Sequence, residues 1–349
     1  MTAIKVKYDR FSRIAKYLLV FLLIAPFASD PLNTAEKPEF RFREIWGYLM
    51  KGEERELTGE EPFTDVCYFS AAVGPLGRLV GVPELPKPGR AGKSNFRIHL
   101  VITELSNHAL THFILDPSLP LRKSLIEDIV NASRGYHGIQ IDFESVLPND
   151  ARFFWSFLSD IRKSLPKSAM LSIALPARKN KTADAYDYAS IAPIVDRVII
   201  MAYDQHWSTS APGPVGSVPW CREILAHARS AVPRDKLVMG LPLYGRAWQE
   251  KSHGRALRHR HVVEILESRK ITPTFCPDNG YHFEYEEPVK VKVFYDDVQS
   301  TLQKIRLYHD SEVASLAFWR IGQGPVALWT HLAKPGPETI TEIADTKRE

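Results

Sequence analysis

Eight short apolar runs recur along this chain: REIWGYLM (43–50), TDVCYFSAAV (64–73), FRIHLVIT (96–103), HGIQIDFE (137–144), AMLSIALP (169–176), RVIIMAYD (197–204), KLVMGLPLY (236–244) and VASLAFWR (313–320). Amphipathic helical patterns lie between them. Such alternation specifies a parallel sheet covered by helices. Eight units of this size fit an α/β fold closed as a (β/α)8 TIM barrel better than an open doubly wound sheet. No glycine-rich dinucleotide fingerprint follows the first run, which weakens the open-sheet alternative further.

The helices carry their own punctuation. Between runs three and four, SLPLRKSLIEDIVNASRG opens with proline and closes with Gly135. After run four, Asn149 or Asp150 can cap a helix whose Phe153, Phe154, Phe157, Leu158, Ile161 and Leu165 share one face, predicted to pack on the barrel. Two stretches interrupt the repeat. Residues 71–95 are rich in glycine and proline and read as an extended loop. Between Trp248 and Asp297, Asn279-Gly280 signals a hairpin turn, and Tyr281, Phe283 and Tyr285 alternate before Val289, Val291 and Val293. A small α+β insertion between strands seven and eight (249–297) is therefore expected.

The barrel is assigned to residues 41–333, with a linker at 29–40 and a flexible tail at 334–349. Residues 1–28 combine Lys5, Lys7, Arg10, Arg13 and Lys16 with the apolar run YLLVFLLIAPFA (17–28). That run is shorter than the roughly 20 residues needed to span a bilayer, and the pattern is that of a signal peptide. An uncleaved N-terminal anchor stays open, because Pro26 would stand three residues before a cut after Ala28. The expected location is the periplasm, the cell envelope or the medium, with membrane contact only through this segment. The formal charge of +4 belongs to the leader. Without it basic and acidic side chains balance, so no nucleic-acid partner is expected. Cys67, Cys221 and Cys276 have neither a disulfide-framework nor a zinc-site spacing. Neither metal nor cofactor is expected; Cys67 reads as core, and Cys221 and Cys276 remain open as a disulfide pair or as free thiols.

Run four raises the question of function. Read as a strand, it places Gly138, Gln140, Asp142 and Glu144 on one face and Ile139, Ile141 and Phe143 on the other. A strand covered on both sides would not bury two carboxyl groups unless they line a ligand site. Catalytic groups of a β/α barrel sit at the C-terminal ends of its strands. Glu144 and Asp142 end strand four, Met201, Tyr203 and Asp204 end strand six, Tyr244 follows strand seven and Trp319 ends strand eight.

At these positions the sequence resembles glycoside hydrolase family 18, the chitinase family, and more closely its bacterial branch of spore-cortex and peptidoglycan-associated members. HGIQIDFE resembles the strand-four motif DGxDxDxE, MAYD (201–204) the strand-six motif, and GLPLYGRAW (240–248) and AFWRIG (317–322) the strand-seven and strand-eight segments. The resemblance spans about residues 41 to 333. It implies a monomeric glycosidase that cleaves β-1,4 bonds of N-acetylglucosamine-containing polysaccharide, peptidoglycan or chitin, by substrate-assisted retaining catalysis. Glu144 would be the general acid. Asp142 would orient the acetamido group and raise the Glu144 pKa, Tyr203 would bond the acetamido oxygen, Asp204 would hold a hydroxyl and Trp319 would floor the sugar subsite. Gln140, Tyr244, Met201 and Trp46 are further candidates for substrate binding, and Trp207 and Trp248 could extend a stacking groove. A non-catalytic, lectin-like protein on the same barrel is the alternative.

Two positions depart from the motif: its first aspartate is His137 here and its middle one Gln140. The Gln140 amide is expected to donate to Asp142 and keep it ionised with a lowered pKa. His137, if close to this network, would add a titration around its reference pKa of about 6.5.

Overall fold

The computed structural model describes residues 38–85, 96–250, 253–286 and 289–335. The expected leader, most of the linker and nearly all of the tail lie outside these residues.

Eight parallel strands close a barrel: β1 (Glu44–Met50), β2 (Asp65–Val73), β4 (Arg97–Glu104), β5 (Gly138–Phe143), β6 (Met170–Pro176), β7 (Arg197–Met201), β8 (Leu237–Pro242) and β14 (Ser315–Trp319). Closure comes from β1, which pairs with β14 through Glu44 and Ser315 and with β2 through Trp46 and Asp65. The remaining short strand β3 (Leu79–Val80) folds back antiparallel on β2 and occupies part of the expected extended loop.

Helical cover is uneven. Barrel strands three and four are joined by α1 (His108–Leu115) and α2 (Pro120–Ser133), four and five by α3 (Ala151–Ser164), five and six by the single turn α4 (Tyr188–Ile191), and six and seven by α5 (Val218–Ala231). Strand one passes to strand two through only one 3-10 turn, Glu54–Glu56. On α3, Phe154, Phe157, Leu158 and Ile161 are buried against the barrel, and Phe143 of β5 stacks on Phe154 and Phe157. Asp150 precedes this helix without a side-chain cap bond and meets His112 Nδ1 at 2.8 Å instead.

Alternation along each strand sorts side chains into two cores. Outward residues such as Ile45, Leu49, Ile139 and Ile141 pack under the helices, while Trp46, Tyr48, Cys67, Val101, Met170, Ile199 and Val238 fill the barrel. The N-terminal end of the barrel is plugged by charge: Arg197 grips Glu44 with two bonds of 2.7 Å, and Arg97 joins Glu44 to Asp65. Burial works against the Asp65 charge, yet bonds from His99 and Arg97 hold its carboxyl far below the usual range. Gly138 is required here, because a Cβ would come within 2.4 Å of His99 Nδ1.

Between barrel strands seven and eight lies an antiparallel five-stranded sheet, ordered β10 (Arg255–Arg258), β9 (Tyr244–Gln249), β13 (Lys290–Tyr295), β12 (Gly280–Glu286) and β11 (Thr274–Cys276), with α6 (His259–Arg269) beside it. It starts at Tyr244 rather than at the expected residue 249, because β9 follows β8 after Leu243 alone. The chain returns to the barrel through α7 (Val298–Asp310), capped by a reciprocal Asp297–Ser300 box. Cys67, Cys221 and Cys276 are all free thiols. Among the described residues no helix is long and apolar enough to cross a membrane.

Candidate active site

A cleft of about 600 Å³ opens at the C-terminal ends of the strands. Asp142, Glu144, Met201, Tyr203, Asp204 and Trp319 all line it. Strand geometry sets the depth of the first two. Asp142 is the last inward residue of β5 and is buried, whereas Glu144 is one residue past the strand end and stands exposed in the cleft.

The Glu144 turn is held from behind. Its own N–H donates to Glu104 O at 2.8 Å, so backbone pairing with β4 continues one residue beyond the strand. Next along, the Ser145 hydroxyl donates to the buried Glu104 carboxylate, which also accepts from Thr111 Oγ1 at 2.6 Å and Asn107 N at 2.8 Å. Val146 N donates to the Tyr186 hydroxyl at 3.0 Å.

Burial, reinforced by the negative charge of Glu144, pushes the Asp142 pKa up to about 8. This reverses the expectation of a lowered pKa. The Gln140 amide donates to Ser172 Oγ at 3.2 Å, and Asp142 Oδ1 is buried with no hydrogen-bond partner. A carboxyl without donors in a low-dielectric site keeps its proton. Desolvation also raises the Glu144 pKa, and the neighbouring charge that adds to it is Asp204 rather than Asp142. Asp142, protonated near neutrality, has little charge with which to act on its neighbour.

Asp204 adopts a left-handed backbone, φ 58°, and Oδ1 accepts from Tyr244 Oη and Arg246 Nη2, each at 2.6 Å. Tyr203 stacks parallel to Trp319 at 6.5 Å, and burial keeps its hydroxyl protonated far above the ordinary phenol range. Trp319 is wedged further by Phe69 and Tyr48, at 5.2 and 5.1 Å. Its peptide bond to Arg320 is cis.

Several expected residues lie elsewhere. Trp46 is fully buried near the N-terminal end of β1, packed at a tilt against His99 and donating to Glu44 Oε2, so it has no face to offer a sugar. Gln140 is fully buried and does not line the cleft, and Tyr244 supports Asp204 from a buried position. His137 accepts from Ile98 N at the start of β5, far along the strand from Asp142, and burial lowers its pKa. Trp248 packs in the insertion sheet against Phe294, whereas Trp207 does line the cleft. The sequence reading missed Tyr48, Phe69, Leu105, Arg178, Gln205 and Trp220 on the cleft wall, and Arg246 behind it. Arg246 was within reach, since it shares a strand face with Tyr244. Among the described residues no group of three His, Cys, Asp or Glu side chains is placed to hold a metal ion.

A protonated buried carboxyl, an exposed carboxyl with a raised pKa, a phenol and an aromatic floor can together donate a proton to a bound polar ligand with an apolar face. Comparison with known proteins adds likeness of sequence and fold. The "Cortical fragment-lytic enzyme" of Bacillus anthracis is 30% identical over 281 residues, 75% of this chain and 65% of that protein, so this chain spans just under two thirds of that relative's length. The crystal structure of the Bacillus cereus spore cortex-lytic enzyme SleL superposes with a TM-score of 0.74 at 25% identity, covering 85% of this chain and 76% of that one. A chitinase from Chromobacterium violaceum shares the fold, with a TM-score of 0.71 at 19% identity over 84% of this chain and 98% of the other. The family model for glycosyl hydrolases family 18 matches residues 115–324, a stretch that runs through the ends of barrel strands four, six, seven and eight, and the chain therefore belongs to that family.

Proposed function

We propose that this chain is an exported glycosidase that hydrolyses β-1,4 bonds beside N-acetylglucosamine in glycan of the peptidoglycan or chitin type. The observation that carries the proposal is the division of labour between two carboxyls on one strand face: Glu144 exposed with a raised pKa, Asp142 buried behind it. An acid working near neutrality needs such a raised pKa. Family membership and the relative named for lysis of cortical fragments support the same reading.

Glu144 donates its proton to the glycosidic oxygen as the bond to the anomeric carbon breaks, and the 2-acetamido oxygen of the substrate attacks that carbon to give an oxazolinium ion. Asp142 Oδ1, which has no partner within the fold, accepts the acetamido N–H. Tyr203 donates to the acetamido oxygen, and Trp319 supports the apolar sugar face. Water, deprotonated by Glu144, then opens the oxazolinium with net retention. No protein nucleophile takes part, so the carboxylate spacing of ordinary retaining enzymes does not apply.

The test is Glu144→Gln, which keeps volume but cannot protonate. Turnover of N-acetylglucosamine oligomers is expected to fall by about 10²–10⁴-fold with affinity largely kept. Near wild-type rates in the variant would refute the assignment, and tight binding without turnover in the wild type would make the protein a carbohydrate binder. A reporter fused after residue 40 that is active only in the cytoplasm would refute export.

A further inference from the structure

We propose that Arg178 is a recognition point for carboxylate substituents on the glycan, so that the cleft selects polymers whose N-acetylated amino sugars carry acidic groups, as 3-O-lactyl ethers do, over uncharged N-acetylglucosamine polymer. This inference rests on the glycosidase reading above and narrows its substrate class.

Arg178 lies two residues beyond β6, on the rim where the strands deliver their functional groups, and it lines the cleft with Glu144, Asp204, Trp207 and Trp220. Among the described residues lining the cleft it is the one cation, against the carboxyls of Asp142, Glu144 and Asp204. One edge of its guanidinium is committed: Nε and Nη2 donate to Asp184 Oδ2 at 3.2 and 2.8 Å. Asp184 is fixed in turn, because its Oδ1 accepts from Tyr186 N at 2.9 Å. The Tyr186 hydroxyl takes the hydrogen bond from Val146, two residues after Glu144. Arg178 is thus clamped in register with the turn that presents the acid.

The other nitrogen is poorly used. Nη1 makes only a 3.4 Å contact with the Ala177 carbonyl, at the outer limit of hydrogen bonding, and the side chain remains 32% exposed. When ligand fills the cleft, this edge loses water. A neutral polymer returns no charge in exchange, and covering a charged group without a partner is unfavourable. A carboxylate on the sugar restores the lost hydration with a charge-assisted bond to a planar donor already held in place.

The experiment compares three soluble substrates of equal length: an N-acetylglucosamine oligomer, an oligomer alternating N-acetylglucosamine with N-acetylmuramic acid, and the latter with its carboxyl converted to the methylamide. Wild type, Arg178→Gln and Arg178→Lys are measured for kcat/KM, and Kd is measured for each in the Glu144→Gln background. The carboxylate is expected to be preferred over its methylamide by about tenfold in wild type, with the ratio collapsing towards one in Arg178→Gln and largely retained in Arg178→Lys. Equal treatment of carboxylate and methylamide by wild type, or an unchanged ratio in Arg178→Gln, would overturn the proposal. Absence of turnover on every substrate would sink the glycosidase reading alone, because the Kd ratios still decide the role of Arg178.

Discussion

The Tyr244 hydroxyl donates to Asp204 Oδ1 at 2.6 Å and so joins the insertion sheet to the end of barrel strand six. Tyr244→Phe removes this bond and leaves Arg246 as the remaining clamp on that oxygen. A lost hydrogen bond to a charged group is expected to lower kcat/KM by about tenfold, with thermal stability little changed because the Asp204 side chain is half exposed. Steady-state kinetics and a thermal melt on one preparation check both statements.

Asp204→Asn tests the electrostatics of the acid. The negative charge of Asp204 helps to raise the Glu144 pKa, so removing it lets that pKa fall. As the proposed general acid, Glu144 acts in its protonated form, so activity is expected to be lost as pH rises through its pKa. The alkaline limb of kcat/KM is therefore expected to move to lower pH in the variant. Asparagine tolerates the left-handed backbone at this position, so the fold is kept. Superimposable pH profiles would contradict the coupling.

Asp142 makes stability depend on pH. Its carboxyl holds a proton up to about pH 8 in the folded chain but releases it near 3.9 when unfolded. Between those values the folded state binds more protons, so the contribution is fully present below the unfolded pKa and is lost as pH rises towards 8. Asp142→Asn cannot ionise. The Tm of the variant relative to wild type is expected to climb from pH 4 to pH 8, while its activity falls; a pH-independent difference would be inconsistent with a buried acid.

Glu104 is the anchor behind the Glu144 turn. Glu104→Leu takes the carboxylate acceptor from the Asn107 N–H and from the Ser145 and Thr111 hydroxyls, leaving Thr111 only Asn107 O and Ser145 only Thr111 Oγ1 as acceptors. Stability is expected to drop by about 2–4 kcal/mol. kcat should fall more than KM rises, because the displaced group is the proposed acid rather than the proposed sugar platform. Denaturant unfolding together with the kcat and KM values separates the two effects.

The barrel and the insertion were legible because period-two alternation and turn signals are local properties of the chain. Glu144, Tyr203, Asp204 and Trp319 all line the cleft, because each sits at or just beyond a strand end, where position along the strand and height in the barrel coincide. Trp46 shows where that logic stops. An inward aromatic reads alike at the floor or the mouth of a barrel, and only the strand limits, Glu44 to Met50, put it near the floor. His137 falls at the wrong end for the same reason. The fate of the Gln140 amide turned on Ser172, 32 positions away, which no local pattern reveals. Arg178 reaches the cleft from the loop after β6 and Trp220 from the first turn of α5, where strand alternation gives no orientation.

The direct passage from β8 through Leu243 into β9 means that the extra sheet is not a detachable ornament. Tyr244 and Arg246, the two residues that grip Asp204, are the first and third of its opening strand. Transplanting this cassette into another barrel would carry the grip along with it, and trimming it back to a short loop would leave one wall of the cleft unbraced. In this chain the inserted sheet and the cleft wall share a backbone, so the two must change together.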